Sequence, residues 1–260
     1  MSNRTIEFQQ SDNYCSIILN REDKCHAINE ELIEELDVIL SEIESDKHIR
    51  LVEVTAKGDK FFCAGGDINS WSAYSPLDMG RKWIKRGNEV FNRLRNLPKL
   101  TVANINGHAI GGGLELALCC DIRIARPNAK FSTPEVTLGM IPGWMGIERI
   151  LSIVPQATAR EMLLLGKRLT AGDAAKAGLI NLVVEKDDMP AWRAARMEEV
   201  GKCGPVALAH IKQLVNSITD KHTSFDHQLL AALMSATADC QSATDAFVRK
   251  QSQPPLFSDN

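Results

Sequence analysis

The sequence predicts an α/β fold, and three observations support this prediction. Short apolar runs of strand length alternate with helical patterns through the first two thirds of the chain. Glycine-rich turns follow two of the predicted strands, at 65–66 and at 111–113. From Pro155 onward the patterns are mostly helical. This order favours a mixed core whose strand-end loops form the functional site, followed by a helical C-terminal part.

The composition restricts the class of protein. The chain has 260 residues, of which 44% are hydrophobic and 24% are charged, and its formal net charge is −3. The length is close to the upper limit for one hydrophobic core. The charge gives no electrostatic reason to expect nucleic acid or an anionic membrane as a partner. Because the N-terminus is polar and no apolar run reaches the roughly 20 residues of a membrane span, we expect a cytoplasmic protein.

The cysteines and histidines form no pattern typical of a metal site. The seven cysteines include no C-x-x-C pair, and the six histidines include no H-x-x-x-H pair. We interpret all seven cysteines as reduced and mostly buried small hydrophobic residues. We therefore expect neither a metal ion nor a disulfide.

The N-terminal elements follow from periodicity and capping residues. Residues 4–10 and 15–19 predict a β-hairpin, and Asn29 is a suitable N-cap for the helix that follows. Residues 51–56 predict a buried strand. The apolar residues of the first helix recur at helical spacing, and they are Leu32, Ile33, Leu36, Ile39, Leu40 and Ile43.

The later elements are predicted in the same way. Helices are expected at 78–96, 113–120, 157–165, 171–177, 190–201, 205–218, 224–235 and 239–250, and strands at 100–106, 121–126 and 181–185. No low-complexity linker separates these elements. We divide the chain into an α/β core at 1–195 and a helical part at 196–260, which we expect to make contacts between subunits.

Two glutamates flank the glycine turn at 111–113. Glu115 lies in an apolar run directly after the glycines, and Glu135 follows Pro134. A structural role would explain each glutamate alone, since a helix N-terminus favours a carboxylate and a loop favours a polar residue. The glycine spacing fits neither a dinucleotide-binding turn nor a P-loop. The glycines either permit a tight turn or leave two N–H groups free for an oxyanion, in which case the two carboxyls supply acid–base chemistry.

Four segments resemble the successive motifs of the crotonase (enoyl-CoA hydratase/isomerase) superfamily. They are FFCAGGDI, NGHAIGGGLELALCCDIRIA, FSTPEVTLGMIPG and GKRLTAGDAAKAGLINLVV. The resemblance extends from about Ile17 to Lys250 and follows the order of the family's motifs. It implies a spiral of ββα units, with a helical C-terminal part that mediates trimers, often paired into hexamers, and that covers the CoA site.

The resemblance also implies a mechanism. The backbone N–H groups of Gly66 and Gly112 would form an oxyanion hole for the thioester oxygen. Glu115 would deprotonate water for attack at Cβ, and Glu135 would deliver a proton to Cα. The 20-residue separation of the two glutamates matches that of the family's hydratases. We therefore predict an enoyl-CoA hydratase that needs no cofactor beyond the CoA of its substrate.

Two kinds of alternative stay open. The same scaffold supports isomerases, decarboxylases and hydrolases, and an isomerase would use Glu135 alone. From a different class, the chain is a non-catalytic acyl-CoA-binding protein or a scaffold subunit. The paired carboxylates argue against that class, since binding alone does not need them.

The resemblance implies further substrate contacts along the CoA moiety. The residues at matching positions are Lys24, Ala27, Ala64, Gly66, Asp67, Ile68, Phe247 and Lys250. The last two match a pair that can reach the CoA of a neighbouring subunit. For a single lysine such as Lys24, a solvated surface charge is the simpler interpretation.

Three departures from the family's pattern affect the prediction. Asn69 stands where many members have a lysine, which weakens the case for a phosphate contact there. Trp144 and Met145 replace small residues, and 147–149 replace a common Thr-Gln-Arg. Next to the loop of Glu135, the bulky Trp144 would narrow the acyl pocket, so we expect a short, branched or functionalised acyl group. The alternative is that Trp144 packs in the core away from the substrate.

Overall fold

Two β-sheets form the centre of the computed structural model, which describes residues 4–219, 228, 231–233 and 235–250. In chain order the strands are β1 (Ile6–Ser11), β2 (Tyr14–Leu19), β3 (Leu51–Ala56), β4 (Phe61–Cys63), β5 (Leu100–Ile105), β6 (His108–Ile110), β7 (Ile122–Ala125), β8 (Lys130–Ser132), β9 (Leu169–Thr170) and β10 (Leu182–Val183). The larger sheet has the order β1-β2-β3-β5-β7-β10, and the smaller sheet has the order β4-β6-β8-β9.

The chain alternates between the two sheets, which gives the fold its spiral form. The successive pairs β3–β4, β5–β6 and β7–β8 each add one strand to the larger sheet and one to the smaller sheet. Within both sheets these strands are parallel, as in the pairing of Val54 with Ala103 and of Ala109 with Phe131. Antiparallel pairing is found for the hairpin β1–β2 and for β8–β9. This is the predicted α/β spiral of ββα units.

Helices cover the sheets and extend the chain toward its C-terminus. They are α1 (Glu30–Ser45), α2 (Ile68–Trp71), α3 (Pro76–Asp78), α4 (Lys85–Asn96), α5 (Gly112–Ala117), α6 (Gly146–Ile153), α7 (Gln156–Leu165), α8 (Ala171–Lys176), α9 (Met189–Gly201), α10 (Pro205–Thr219) and α11 (Ala238–Val248). A π-helical stretch at Met79–Ile84 joins α3 to α4, and a 3₁₀ helix spans Pro134–Leu138.

Helix α1 forms as its sequence pattern predicts. The Asn29 side chain accepts a hydrogen bond from the N–H of Leu32 at 3.0 Å, which satisfies one of the free donors at the helix start. The buried residues of α1 are the six apolar residues at helical spacing identified above. The hydrophobic stripe of the helix therefore packs on the core as expected.

Helix α9 packs against the other face of the larger sheet. Met189 and Val200 of α9 cluster with Leu51 and Val102 of the sheet. The guanidinium of Arg193 contacts both carboxylate oxygens of Glu53 at 2.9 Å, so the buried carboxylate on strand β3 is paired. The predicted boundary between 195 and 196 falls inside this continuous helix. The division of the chain into two parts itself stays a prediction.

The structure corrects two details of the predicted elements. Helix α5 ends at Ala117 rather than at Cys120, because Cys119 and Cys120 bond to carbonyls three residues back and tighten the chain into a turn. Strands β6 and β8 and helix α6 were not predicted. The helix predicted at 224–235 lies largely outside the described residues. All seven cysteines are free, and five of them are buried.

Candidate active site

Three loops that follow adjacent strands of the smaller sheet converge at one edge. Strands β4, β6 and β8 are parallel neighbours that end at Cys63, Ile110 and Ser132. Parallel strands present their carboxyl ends at the same edge of a sheet, so the residues that follow them lie close together. These residues include Gly66, Gly112 and Glu135. Topology therefore brings together groups that are up to 69 positions apart in the sequence.

The N–H groups of Gly66 and Gly112 are free of protein partners among the described residues. A Cβ atom placed on Gly112 would lie 3.4 Å from the nitrogen of Gly66, so the two peptide units are in near contact. Gly65 and Gly111, which precede them, have φ values of +103° and +52°. These values suit glycine, and Gly66 and Gly112, the residues that follow, both line the pocket described below.

Glu115 lies buried on the first turn of α5, with 2% of its surface exposed. Its Oε1 atom accepts hydrogen bonds from the N–H groups of Trp144 and Gly146, both at 2.8 Å. Two N–H donors and the positive end of the helix dipole stabilise a negative charge on this oxygen. A Cβ atom on Gly146 would lie 2.7 Å from Oε1, so this approach requires glycine there.

Glu135 has a different environment on its 3₁₀ helix. Its Oε1 atom lies over the backbone of Gly111, where a Cβ atom would be only 2.5 Å away. Its Oε2 atom is buried and has no hydrogen-bond partner in the described part of the chain. Burial, followed by the negative charge of Glu115, raises the pKa of Glu135 to about 8. At neutral pH this carboxyl is therefore mostly protonated.

The carboxyls and the two glycines line one pocket with largely apolar walls. The indole of Trp144 packs against Trp83 and Phe91, with ring centroids 5.2 and 5.0 Å apart. A Cβ atom on Gly112 would lie 2.5 Å from the benzo edge of this indole, which therefore abuts the glycine turn. The other lining residues include Ala64, Ile68, Trp71, Met79, Trp83, Ile84, Leu138, Met140 and Ile141. Trp144 is thus both packed in the core and part of the pocket wall.

The remaining predicted contacts lie away from this pocket. Lys24 is exposed, and the carbonyl of Ala27 accepts a hydrogen bond from Arg21. The carboxylate of Asp67 pairs with the guanidinium of Arg21 at 2.9 Å. The backbone of this loop still joins the site, since Ile28 donates to the carbonyl of Gly65 at 2.8 Å.

The two predicted C-terminal contacts are also outside the pocket. Phe247 is 52% exposed near the end of α11, and Lys250 is exposed just after it. Within one chain neither side chain lines the pocket. The roles of all these residues in binding CoA stay predictions.

Sequence reasoning missed much of the pocket wall. The pocket-lining residue Trp71 comes from α2, and the π-helical stretch contributes three more, which are Met79, Trp83 and Ile84. A tryptophan near a glycine turn, as in the segment GGDINSW, was the available signal. The residues of the π-helical stretch show no sequence pattern from which their place in the pocket wall could be predicted.

Comparison with known proteins identifies the family. The model of the family described as enoyl-CoA hydratase/isomerase matches residues 9–259. This chain belongs to the enoyl-CoA hydratase/isomerase family, also called the crotonase family. This family membership confirms the predicted resemblance and the crotonase fold. It also confirms the prediction of a hydratase-type enzyme.

Three relatives illustrate the range of the family. A short-chain-enoyl-CoA hydratase of Clostridium acetobutylicum is 34% identical over 239 residues, which cover 90% of this chain and 91% of the relative. The crystal structure of an enoyl-CoA hydratase of Bacillus anthracis has a TM-score of 0.77 and 30% identity, and the match covers 98% of this chain and 100% of that one. A methylmalonyl-CoA decarboxylase structure, with a TM-score of 0.86 and 24% identity over the full length of both chains, shares the crotonase fold.

The described residues contain neither a membrane-spanning helix nor a cluster of metal-binding side chains. None of their helices is long and apolar enough to cross a membrane. No group of three or more His, Cys, Asp or Glu side chains in the described ranges is arranged to hold a metal ion.

Proposed function

We propose that this chain is an enoyl-CoA hydratase, which adds water reversibly across the Cα=Cβ bond of a 2-enoyl-CoA thioester. One observation carries the proposal: two carboxyls in different electrostatic environments line the same pocket as two glycines whose N–H groups have no partner among the described residues. The names of the Clostridium and Bacillus relatives support the same reaction class. The decarboxylase resembles the chain at a level that supports the fold alone.

The two amides are suited to the charge that forms during hydration. When water adds to Cβ, the electron pair of the double bond moves through Cα to the thioester oxygen and forms an enolate. The N–H groups of Gly66 and Gly112 would donate to that oxygen. Loss of one such donor typically costs about 2.7–4 kcal/mol of transition-state stabilisation.

The two glutamates would divide the proton transfers. Glu115 is stabilised as a carboxylate by two N–H donors, so it would take the proton of the attacking water while the oxygen bonds to Cβ. Glu135 holds a proton at neutral pH and would give it to Cα of the enolate. Transfer of a proton from Glu115 to Glu135, directly or through solvent, would restore the starting state.

The pocket wall supports a short acyl group. Trp144 is fixed between Trp83 and Phe91, and it abuts the turn of Gly112, so the acyl chain would meet a rigid aromatic surface. A short 2-enoyl group is therefore the proposed substrate. We propose that no cofactor beyond the CoA of the substrate takes part.

The predicted assembly and location are retained as part of the proposal. Helix α10 exposes the large apolar side chains Val206, Ile211, Leu214 and Val215, which favours contact with another subunit. A homotrimer or homohexamer and a cytoplasmic location remain predictions.

The deciding experiment follows the loss of absorbance of the conjugated enoyl thioester over a panel of acyl groups. We expect turnover by the parent and a loss of about 10²–10⁴-fold in both Glu115→Gln and Glu135→Gln, since each removes one proton-transfer group. Glu198→Gln, on the exposed face of α9, is the control and should keep the parent rate. Isomerase activity that survives Glu115→Gln, without hydration by the parent, would indicate the isomerase instead. Binding of CoA without turnover of any thioester would indicate the non-catalytic class.

A further inference from the structure

Arg149 is a buried cation close to the proposed water-activating carboxylate. It lies on α6 with 2% of its surface exposed. Its Nη1 atom donates to the Sγ of Cys119 at 2.9 Å and to the carbonyl of Trp144 at 3.2 Å. Its Nη2 atom donates to the side-chain oxygen of Asn92 at 2.9 Å. A buried charge that contacts a thiol, a carbonyl and an amide requires an explanation, because these acceptors carry no charge of their own.

Each of two contacts leads directly to Glu115. The N–H of Trp144 donates to Glu115 Oε1, and the carbonyl of the same residue accepts from Arg149. Cys119 lies four residues after Glu115, in the turn that follows α5, and its thiol donates to the carbonyl of Glu115 at 3.2 Å. The guanidinium therefore joins the helix that carries Glu115 to the loop whose N–H groups hold the carboxylate.

The third contact fixes this assembly from outside the pocket. Asn92 belongs to α4, the helix that also contributes Phe91 to the packing of Trp144. The planar guanidinium can bridge three acceptors in fixed directions, which an ammonium cannot do.

We propose that Arg149 is a positioning residue, which holds the 144–146 loop so that its N–H groups keep the Glu115 carboxylate aimed into the pocket. The inference rests on the proposed function for its kinetic test and on geometry alone for its structural test. Arg149 does not touch the pocket, so its loss should affect the chemical step more than the binding of the thioester.

The kinetic test compares two buried arginines. Arg149→Met is expected to lower kcat about 10- to 100-fold with KM within about threefold, because small misplacements of a reacting group have effects of this size. The matched control is Arg123→Met. Arg123 is also buried and donates to the carbonyls of Leu179 and Cys120, but it lies outside the pocket and its wall. The control should lose thermal stability and keep kcat within about twofold.

Arg149→Lys keeps the positive charge but removes the planar guanidinium, so it tests whether the directions of the three hydrogen bonds matter. This variant should lower kcat about 3- to 10-fold, which is a smaller loss than in Arg149→Met. If Arg149→Met does not fold, Arg149→Lys takes its place in the kinetic test. Parent kcat in a folded Arg149→Met or Arg149→Lys, or equal losses of kcat in Arg149→Met and Arg123→Met, would overturn the proposal.

A crystal structure of the variant separates this inference from the proposed reaction. In Arg149→Met, or in Arg149→Lys if only that variant folds, the Glu115 carboxylate should leave the N–H groups of Trp144 and Gly146, whatever the chain catalyses. Both 2.8 Å contacts unchanged in the variant would contradict the positioning role, even if hydration is confirmed. Absence of hydration by the parent would contradict the proposed function and leave this structural test in force.

Discussion

The buried carboxyl of Glu135 should make the fold less stable as the pH rises. Its pKa is raised from 4.5 to about 8, first by burial and then by the charge of Glu115. Between these values the folded chain keeps a proton that the unfolded chain has released. Because the folded state then binds more protons, the free energy of unfolding falls as the pH rises through this window. The full penalty is present above pH 8 and is absent below pH 4.5.

Replacement of Glu135 by glutamine removes this titration and keeps the shape of the side chain. Each pH unit between the two pKa values corresponds to about 1.4 kcal/mol, so the whole window amounts to about 5 kcal/mol as an upper limit. At pH 7 the corresponding figure is about 3 kcal/mol. The glutamine amide will also change the free energy of unfolding by an amount that does not depend on pH, since the buried Oε2 position has no partner among the described residues. The change with pH is therefore the quantity to measure.

Urea unfolding at pH 5, 7 and 9 and at one protein concentration gives this quantity. The free energy of unfolding of Glu135→Gln relative to the parent should rise by at least about 2 kcal/mol from pH 5 to pH 9. The control Glu198→Gln changes the same formal charge on an exposed side chain and should show no such trend. A difference between Glu135→Gln and the parent that stays constant within about 0.5 kcal/mol over this range would refute the reasoning.

Three further substitutions test the packing of the site. Gly87→Ala should lower the free energy of unfolding in urea by about 1–3 kcal/mol, because the added Cβ would lie 2.2 Å from the Trp144 indole nitrogen. The control is Gly201→Ala, whose added Cβ would have no atom within 4 Å, and it should be neutral or slightly stabilising. Trp144→Ala should raise the ratio of kcat/KM for C10 over C4 enoyl-CoA at least about tenfold by removing the aromatic wall, whereas faster turnover of C10 than of C4 by the parent would contradict the short-chain proposal. Gly111→Ala should lower kcat at least about tenfold in the enoyl-CoA assay, because its Cβ would displace the Glu135 carboxyl 2.5 Å away, and parent kcat would contradict the close approach.

Elements with strong local signals were predicted from the sequence with accurate bounds. The capping residue and apolar spacing of α1 act within one helix, so they are visible without tertiary information. Strands β6 and β8 have three residues each, too few for an alternating pattern, and their pairing depends on the neighbouring strand β4. The smaller sheet was therefore missed apart from the strand before Gly65, although its strand ends position Gly66, Gly112 and Glu135.

The candidate site was predicted in part for the same reason. Glycines and carboxylates are unusual in apolar surroundings and can be recognised singly, whereas Arg149 and Trp83 look like an ordinary charge and an ordinary core residue. Their importance depends on contacts across the fold, such as the bond from Arg149 to the carbonyl of Trp144. The sequence also left two interpretations of Trp144 open, and the structure shows that packing in the core and lining the pocket are compatible.

The backbone of the 144–146 loop explains how a buried carboxylate is tolerated beside a second carboxyl. Met145 adopts a left-handed conformation with φ of +66°, which costs a non-glycine residue about 1–2 kcal/mol. In an extended chain the N–H groups of residues 144 and 146 would point the same way but lie about 7 Å apart, too far to meet at one atom. A left-handed residue between them curves the backbone, so that they form a concave site for an anion. Here both N–H groups reach Glu115 Oε1 at 2.8 Å. An unpaired buried carboxylate would cost several kcal/mol or would take up a proton, so the strain at Met145 is smaller than the cost it prevents. The strained loop thus stabilises a charge on Glu115, whereas the partnerless Oε2 of Glu135 has no donor among the described residues to stabilise one, and in the proposed reaction this difference would let two identical side chains serve as base and acid.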